Sequence, residues 1–253
     1  MKSIQSIERA AAILRLLSGP SRRMGVVEIA GELGLAKATA HGILRTLAQV
    51  GFVEQDPESS KYQLGAALLH IGSSYLDGNE LRTRALNWSD SLASRTNEAV
   101  RIGTLHDGHV LVVHHVFRPD DTRQVLEVGA LLPAHASALG KMLLAHHRYA
   151  AAECVKAGLV RYTPGTIVDA QELQRELELI ASRGWAVELE ELVSDEVAYA
   201  APIKDRRGET VGSIGIRGPA ERLCVKGKPR SDLAASVREA ARLISRELGA
   251  MPG

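Results

Sequence analysis

The first chemistry this sequence offers lies in "ELGLAKATAHGILRTLAQVGFVEQDPESSKYQLG", residues 32–65, where Lys37, His41 and Arg45 fall four residues apart. That spacing stacks side chains along one face of an α-helix. Thr39 lies among them, and the face carries no acidic residue. Cations suit phosphates, Thr and His suit base edges, and small residues in the first turn allow close approach. These are the residue types a helix needs in the major groove of duplex DNA. A solvated helix face would look similar, so the flanking elements decide.

Those elements have a definite order. The pattern Ile7, Ala10, Ala11, Leu14, Leu17 predicts a helix that starts at Ser6, with that Ser as cap, and stops at "SGP". A second helix is expected over Val26 to Leu33, followed by Gly34 for a left-handed turn. In the third, Ala40, Ile43, Leu44 and Leu47 form the buried stripe and Gly51 ends it. Three helices with a tight turn between the last two describe a helix-turn-helix. Two short strands, Phe52 to Gln55 and Lys61 to Leu64, then flank an Asp-Pro-Glu-Ser-Ser turn and form a wing. Lys37, Thr39, His41, Arg45 and Lys61 are therefore the candidate DNA-binding residues, because this combination is a known docking geometry.

After the wing, "GAALLHIGSSYL" is apolar on most sides, which predicts a linker helix that also joins subunits. From Leu81 onward a helix to Thr96 precedes three alternating runs, "AVRIGTL", "HVLVVHHVF" and "TRQVLEV", expected as an antiparallel meander. Helices follow at Ser137 to Ala145 and Asp169 to Arg183, then strands "WAVELE", "VAYAAPI" and "TVGSIGI", then a helix from Ser231 to Leu248. The fold class is α+β, with helices flanking a mostly antiparallel sheet. The expected division is 1–65 winged helix-turn-helix, 66–80 linker helix and 81–253 second domain.

Bulk composition narrows the classes further. The 253 residues carry a net charge of +1, and over residues 1–80 eight Lys/Arg balance eight Asp/Glu. Attraction to DNA must come from arrangement, so one copy binds weakly and a dimer doubles the contacts. Cys154 and Cys224 form no C-x-x-C pair, which argues against a disulfide framework or thiolate zinc site. They read as apolar residues. Glu8, Arg9 and Arg15 interrupt the N-terminal apolar run, unlike a signal peptide, and no stretch is long and apolar enough to span a membrane. The expectation is a cytoplasmic protein with no membrane partner. His106, His109, His114 and His115 raise a metal reading, but neighbours 114 and 115 on a strand face opposite ways, and no metal or cofactor is expected. Small residues Ala136, Ser137 and Ala138 open a helix whose free N–H groups would favour an anionic or hydroxyl-rich ligand, or form only an ordinary cap.

The chain resembles IclR-type transcriptional regulators, and among them those of actinomycete glycerol operons. The resemblance rests on "IQSIERAAAILRLL" at 4–17, "GLAKATAHGILRTL" at 34–47, "KYQLG" at 61–65, "VFRPDDTRQVLEVGALLPAHASALGK" at 116–141, "AAPIKDRRG" and "GIRGPAER". It implies that the winged helix binds operator double-stranded DNA and that a GAF-like effector-binding domain takes a small molecule. It also implies dimers that pair into tetramers. The positions that line the ligand site in the family match Ala138, Leu139, Glu188, Ala198, Gly215 and Arg217, while His135 belongs to the pocket motif and is expected to orient a loop.

Three positions depart from the family pattern. Gly42 stands where an Arg commonly follows the recognition-helix His, costing the helix about 1 kcal/mol relative to Ala and a phosphate contact that Arg45 would supply. Arg217 replaces a small hydroxyl residue, and Asp195 replaces a Gly. An Arg in that pocket could pair with a phosphate or carboxylate, or satisfy Glu188 internally. The expected function is regulation, as a repressor, of a carbon-catabolic operon by glycerol, glycerol 3-phosphate or a similar metabolite. The rival is an enzyme using His114, Asp107 or Glu188 as acid-base groups; no nucleophile-base signature, phosphate loop or H-E-x-x-H motif supports it.

Overall fold

The computed structural model describes residues 4–19, 21, 23–120 and 122–251. It divides into two compact units, Met1–Gly78 and Asn79–Gly253.

In the first unit α1 spans Gln5–Leu17, α2 Val26–Glu32 and α3 Lys37–Gln49. Strands β1, Val53–Gln55, and β2, Tyr62–Leu64, pair antiparallel, and α4 covers Ala67–Asp77. Burial rotates α1 relative to the expected stripe. Ile13 and Leu17 are buried with Ile29, Leu44, Leu47, Val53 and Tyr62, whereas Ile7 is exposed. Ser6 does not cap the helix either; Ile4 holds that position and offers no side-chain bond. The turn between α2 and α3 runs through Gly34 at φ +61°, a conformation that costs a glycine little. Its geometry lets Leu35 N–H reach back to Ala30 O at 2.8 Å.

The wing is set by side-chain and backbone bonds at its tip. Asp56 Oδ1 accepts from Glu58 N and Ser59 N, at 2.9 and 3.1 Å, an Asx-type turn. At its base Gly65 lies so close to Gly51 that a Cβ would stand 2.2 Å from Gly51 O. Met24 forms an isolated antiparallel bridge to Tyr62 that sequence periodicity does not reveal.

In the second unit α5, Glu80–Thr96, leads into β3, Ala99–His106, and β4, His109–Val116. Next come β5, Leu131–Pro133, and helices α6, Ala138–Leu144, α7, Arg148–Ala157, and α8, Ala170–Arg183. Strands β6, Ala186–Leu189, β7, Glu196–Lys204, and β8, Thr210–Pro219, complete the main sheet. A single turn α9, Ala220–Leu223, a small ribbon of β9, Cys224–Val225, and β10, Lys228–Pro229, and helix α10, Ser231–Glu247, close the unit. The six-stranded sheet has the order β5-β4-β3-β8-β7-β6, antiparallel throughout.

Strand alternation divides the helices between its faces. The row Ala186, Ala200, Gly215, Arg101 faces α6 to α8. The offset row, including Ile102, Ile214 and Ala201, faces α5 and α10. The expected third strand "TRQVLEV" is not one. Those residues run outside any ladder, with Val125 and Leu126 exposed and Glu127 turned inward to the two arginines described below. Helix α7 was not expected, because its alanine-rich run gives weak periodicity.

Candidate DNA-binding face and effector cavity

Helix α3 presents Lys37, His41 and Arg45 to solvent, with Thr39 half-buried beside them. Ala40, Leu44 and Leu47 on the opposite side are fixed in the core, which leaves the cationic side no alternative but outward. The ion pairs described in this unit, Arg23–Asp56 at 3.4 Å and Lys61–Glu28 at 3.8 Å, leave all three residues out. The cap residue Ala36 offers no side chain to the first turn, and that turn holds no acid. Its N–H groups remain available for a phosphate. Lys61 is different: it is half-buried and its ammonium is turned toward Glu28 of α2.

In the second unit Ala138, Leu139, Glu188, Ala198, Gly215 and Arg217 all line one cavity, together with Arg101 and Tyr199. Register explains the gathering. Glu188, Ala198, Arg217 and Ala99 are opposed in one row across β6, β7, β8 and β3, while Gly215 opposes Arg101. Alanine and glycine at the centre leave the space, and α6 lays Ala138 and Leu139 over it. A Cβ on Gly140 would collide with the backbone of Ala134, 2.2 Å from its oxygen, so a glycine is what lets α6 sit this close.

A buried ion pair helps hold α6. Lys141, 1% exposed, donates from Nζ to Glu191 Oε1 at 2.5 Å, with Glu176 4.0 Å away. Ser137 Oγ accepts from Gly140 N at 3.2 Å, so this end of α6 is capped from within. The charges aimed at the cavity are therefore arginines rather than helix amides. Arg101, 8% exposed, is ion-paired with Glu127; Arg217 faces Glu127 Oε1 at 3.6 Å and is also paired with Glu196.

Burial pushes the Arg101 guanidinium down to about 10, with Glu127 opposing the shift. Burial also pushes the Glu188 carboxyl up to about 7, although it accepts from Glu191 N and Leu192 N at 2.5 and 3.1 Å. Arg217 thus pairs with Glu127 and Glu196, while Glu188 binds its own turn. The space left is about 20 Å³, room for one water.

Sequence reasoning missed Arg101, Glu127 and Glu196. A signal existed for the first: in "AVRIGTL" an Arg occupies a position between apolar neighbours on a strand buried on both faces. His115 lies opposite Arg101 in the β3–β4 ladder, and its Nδ1 accepts from Glu127 N at 3.2 Å, while His114 lies near Arg82 and Asp90 of α5. His135 Nε2 is 2.9 Å from Val160 O, where a ring N–H can tie down that loop.

The IclR helix-turn-helix domain matches residues 6–57, and the family described as bacterial transcriptional regulator IclR C-terminal matches residues 73–246. The chain belongs to the IclR family. Glycerol operon regulatory proteins of Streptomyces coelicolor and Streptomyces griseus are 53% and 52% identical to it, each over 249 residues and 98% of both chains. The crystal structure of an IclR transcriptional regulator from Alicyclobacillus acidocaldarius superposes with a TM-score of 0.83 at 27% identity, covering 98% of this chain and 100% of that one. As an IclR regulator the chain binds DNA and a small-molecule effector and controls transcription of a catabolic operon; its relatives are regulators, not enzymes. Among the described residues no helix is long and apolar enough to cross a membrane.

Proposed function

We propose that this IclR regulator is a cytoplasmic repressor of a glycerol operon, released or reset by glycerol or glycerol 3-phosphate. Its domains would be 1–65 for operator DNA, 66–80 as linker helix and 81–253 for the effector. The outward row Lys37, His41, Arg45 beside a β-ribbon, free of internal ion pairs among the described residues, carries the DNA reading. The names of the Streptomyces relatives support the operon class.

Thr39 and His41 are assigned to base edges, Lys37 and Arg45 to phosphates, and Lys61 to a weaker wing contact. Ala138, Leu139, Glu188, Ala198, Gly215 and Arg217 are assigned to the effector. Helix α4 exposes Leu69, Ile71 and Tyr75 at 75%, 53% and 56%, and an apolar helix of this kind calls for a partner surface. A second copy of the chain meets that need and doubles the DNA contacts, with tetramers as pairs of such dimers. Regulation requires the effector to bind the operator-held and free arrangements unequally.

A mobility shift on DNA upstream of the protein's own gene and its neighbours tests the reading. Retardation that changes with glycerol or glycerol 3-phosphate is expected. Retardation insensitive to both removes the glycerol assignment, and no retardation removes the operator assignment. Sedimentation of the full chain, with Leu69→Lys as the disrupted form, tests the α4 seam.

A further inference from the structure

We propose that Glu127 is an internal stand-in for the effector: its carboxylate occupies the place beside Arg101 and Arg217 that an anionic group of the ligand takes when the site fills. The inference rests on the effector assignment above and narrows the ligand to a compact organic anion, one carrying a phosphate or carboxylate.

Space is the first argument. The cavity holds about 20 Å³, against roughly 300 Å³ and upward for ordinary small-molecule sites. A ligand larger than water enters only if a side chain leaves. Of the charged groups lining it, Arg101 and Glu188 are both buried, 8% and 3% exposed, and Glu188 is also tied to the amides of residues 191 and 192. Glu127 is not on the cavity wall but pairs with both lining arginines; its Oε2 beside Arg101 is buried, while the side chain as a whole is a quarter exposed and can rotate outward.

Charge is the second. Arg101 and Arg217 stand against Glu127 and Glu196, with Glu188 as a third carboxyl that burial drives toward its neutral form. An anion that entered beside Glu127 would add repulsion; one that replaced it would keep the balance. The converse also holds, because Arg101 is buried and a buried charge left without its partner is strongly destabilising. Glu127 therefore leaves when another anion arrives, which makes the exchange a two-state element.

The backbone around Glu127 is anchored, so the exchange needs only side-chain rotation. Gly129 N donates to Val112 O at 2.8 Å, Val112 N to Ala130 O at 2.9 Å, and Glu127 N to His115 Nδ1 at 3.2 Å. Upstream, Arg118 N donates to Gln124 Oε1 at 2.7 Å and Gln124 Nε2 returns a bond to Arg118 O at 2.9 Å.

The test uses the full chain as wild type, Glu127→Gln and Glu127→Ala. Calorimetry with sn-glycerol 3-phosphate and with glycerol should show both variants binding the phosphate ester at least tenfold tighter than wild type, with glycerol unchanged in Glu127→Gln, which removes the charge but keeps the volume. Thermal unfolding in sodium acetate or phosphate, against chloride at matched ionic strength, should show saturable stabilisation of Glu127→Ala that wild type lacks. The Gln variant nearly conserves size, so it decides the matter if the Ala form folds poorly. Anions that bind the variants no better than wild type would overturn the stand-in. If wild-type operator binding still answers to glycerol compounds, the regulator reading survives that result. Conversely, acetate stabilising Glu127→Ala while no glycerol compound binds any form would keep the stand-in and remove the glycerol assignment.

Discussion

The cations of α3 and the cations of the cavity have the same chemistry and opposite fates. Lys37, His41 and Arg45 face water with no ion-pair partner among the described residues, so their attraction is left for another molecule. Arg101 and Arg217 are paired with carboxylates of their own unit before any ligand arrives, as is the buried Lys141 of α6. An exposed charge keeps its hydration and can exchange it for a phosphate; a buried one has lost its hydration and must be compensated at once. The first arrangement gives affinity that falls with salt, and the second gives a site whose occupancy is an exchange of partners.

The contrast breaks most visibly at Lys141. Lys141→Met leaves Glu191 buried without its partner and should cost about 3–5 kcal/mol of unfolding free energy in urea, while adding Glu191→Gln should recover most of it. A single-variant cost near zero would mean that the pair is not dehydrated as its burial implies.

Next in size is a pH effect on the same unit. Burial raises the Glu188 carboxyl from 4.5 to about 7, so folding favours its protonated form. Its contribution is complete below the unfolded value and fades as pH climbs through about 7. Relative to Glu188→Gln, wild type should lose up to about 3 kcal/mol between pH 4.5 and 8; equal pH dependence of the two would contradict the burial argument.

On the exposed side, Arg45→Ala should weaken operator binding and reduce the salt slope by about one per chain. Lys61→Ala should change that slope less, since Glu28 already competes for the ammonium. Salt titrations that rank the two in reverse would place the wing, not α3, at the phosphates. The smallest effect is at Gly42, where an added Cβ meets nothing within 4 Å. Gly42→Ala should stabilise the unit by about 0.5–1 kcal/mol in thermal unfolding.

Much of the frame was legible from local patterns. Periodicity marked α2, α3, the wing, α8 and α10 to within a few residues, and Gly34 marked its turn through its positive φ. The first helix was found, and Ala10, Leu14 and Leu17 of its expected stripe pack in the core, but Ile7 fits the spacing and is exposed, with Ile13 buried instead. The run "TRQVLEV" alternates like a strand, but alternation only proposes a strand and a hydrogen-bonding neighbour must complete it. Asp195 adopts φ +62°, a left-handed conformation that favours glycine, so the turn forms despite its side chain.

The sequence by itself determined which residues could meet DNA, because side chains four apart share a helix face whatever the helix packs against. It also placed Ala138, Leu139, Glu188, Ala198, Gly215 and Arg217 together, though through family likeness rather than spacing. Only the tertiary structure decided that Arg101 joins them, that Glu127 pairs with both arginines, and that little space is left. Residues 101, 127, 196 and 217 are far apart along the chain, and which charge compensates which is fixed by strand order and burial. No local pattern records those.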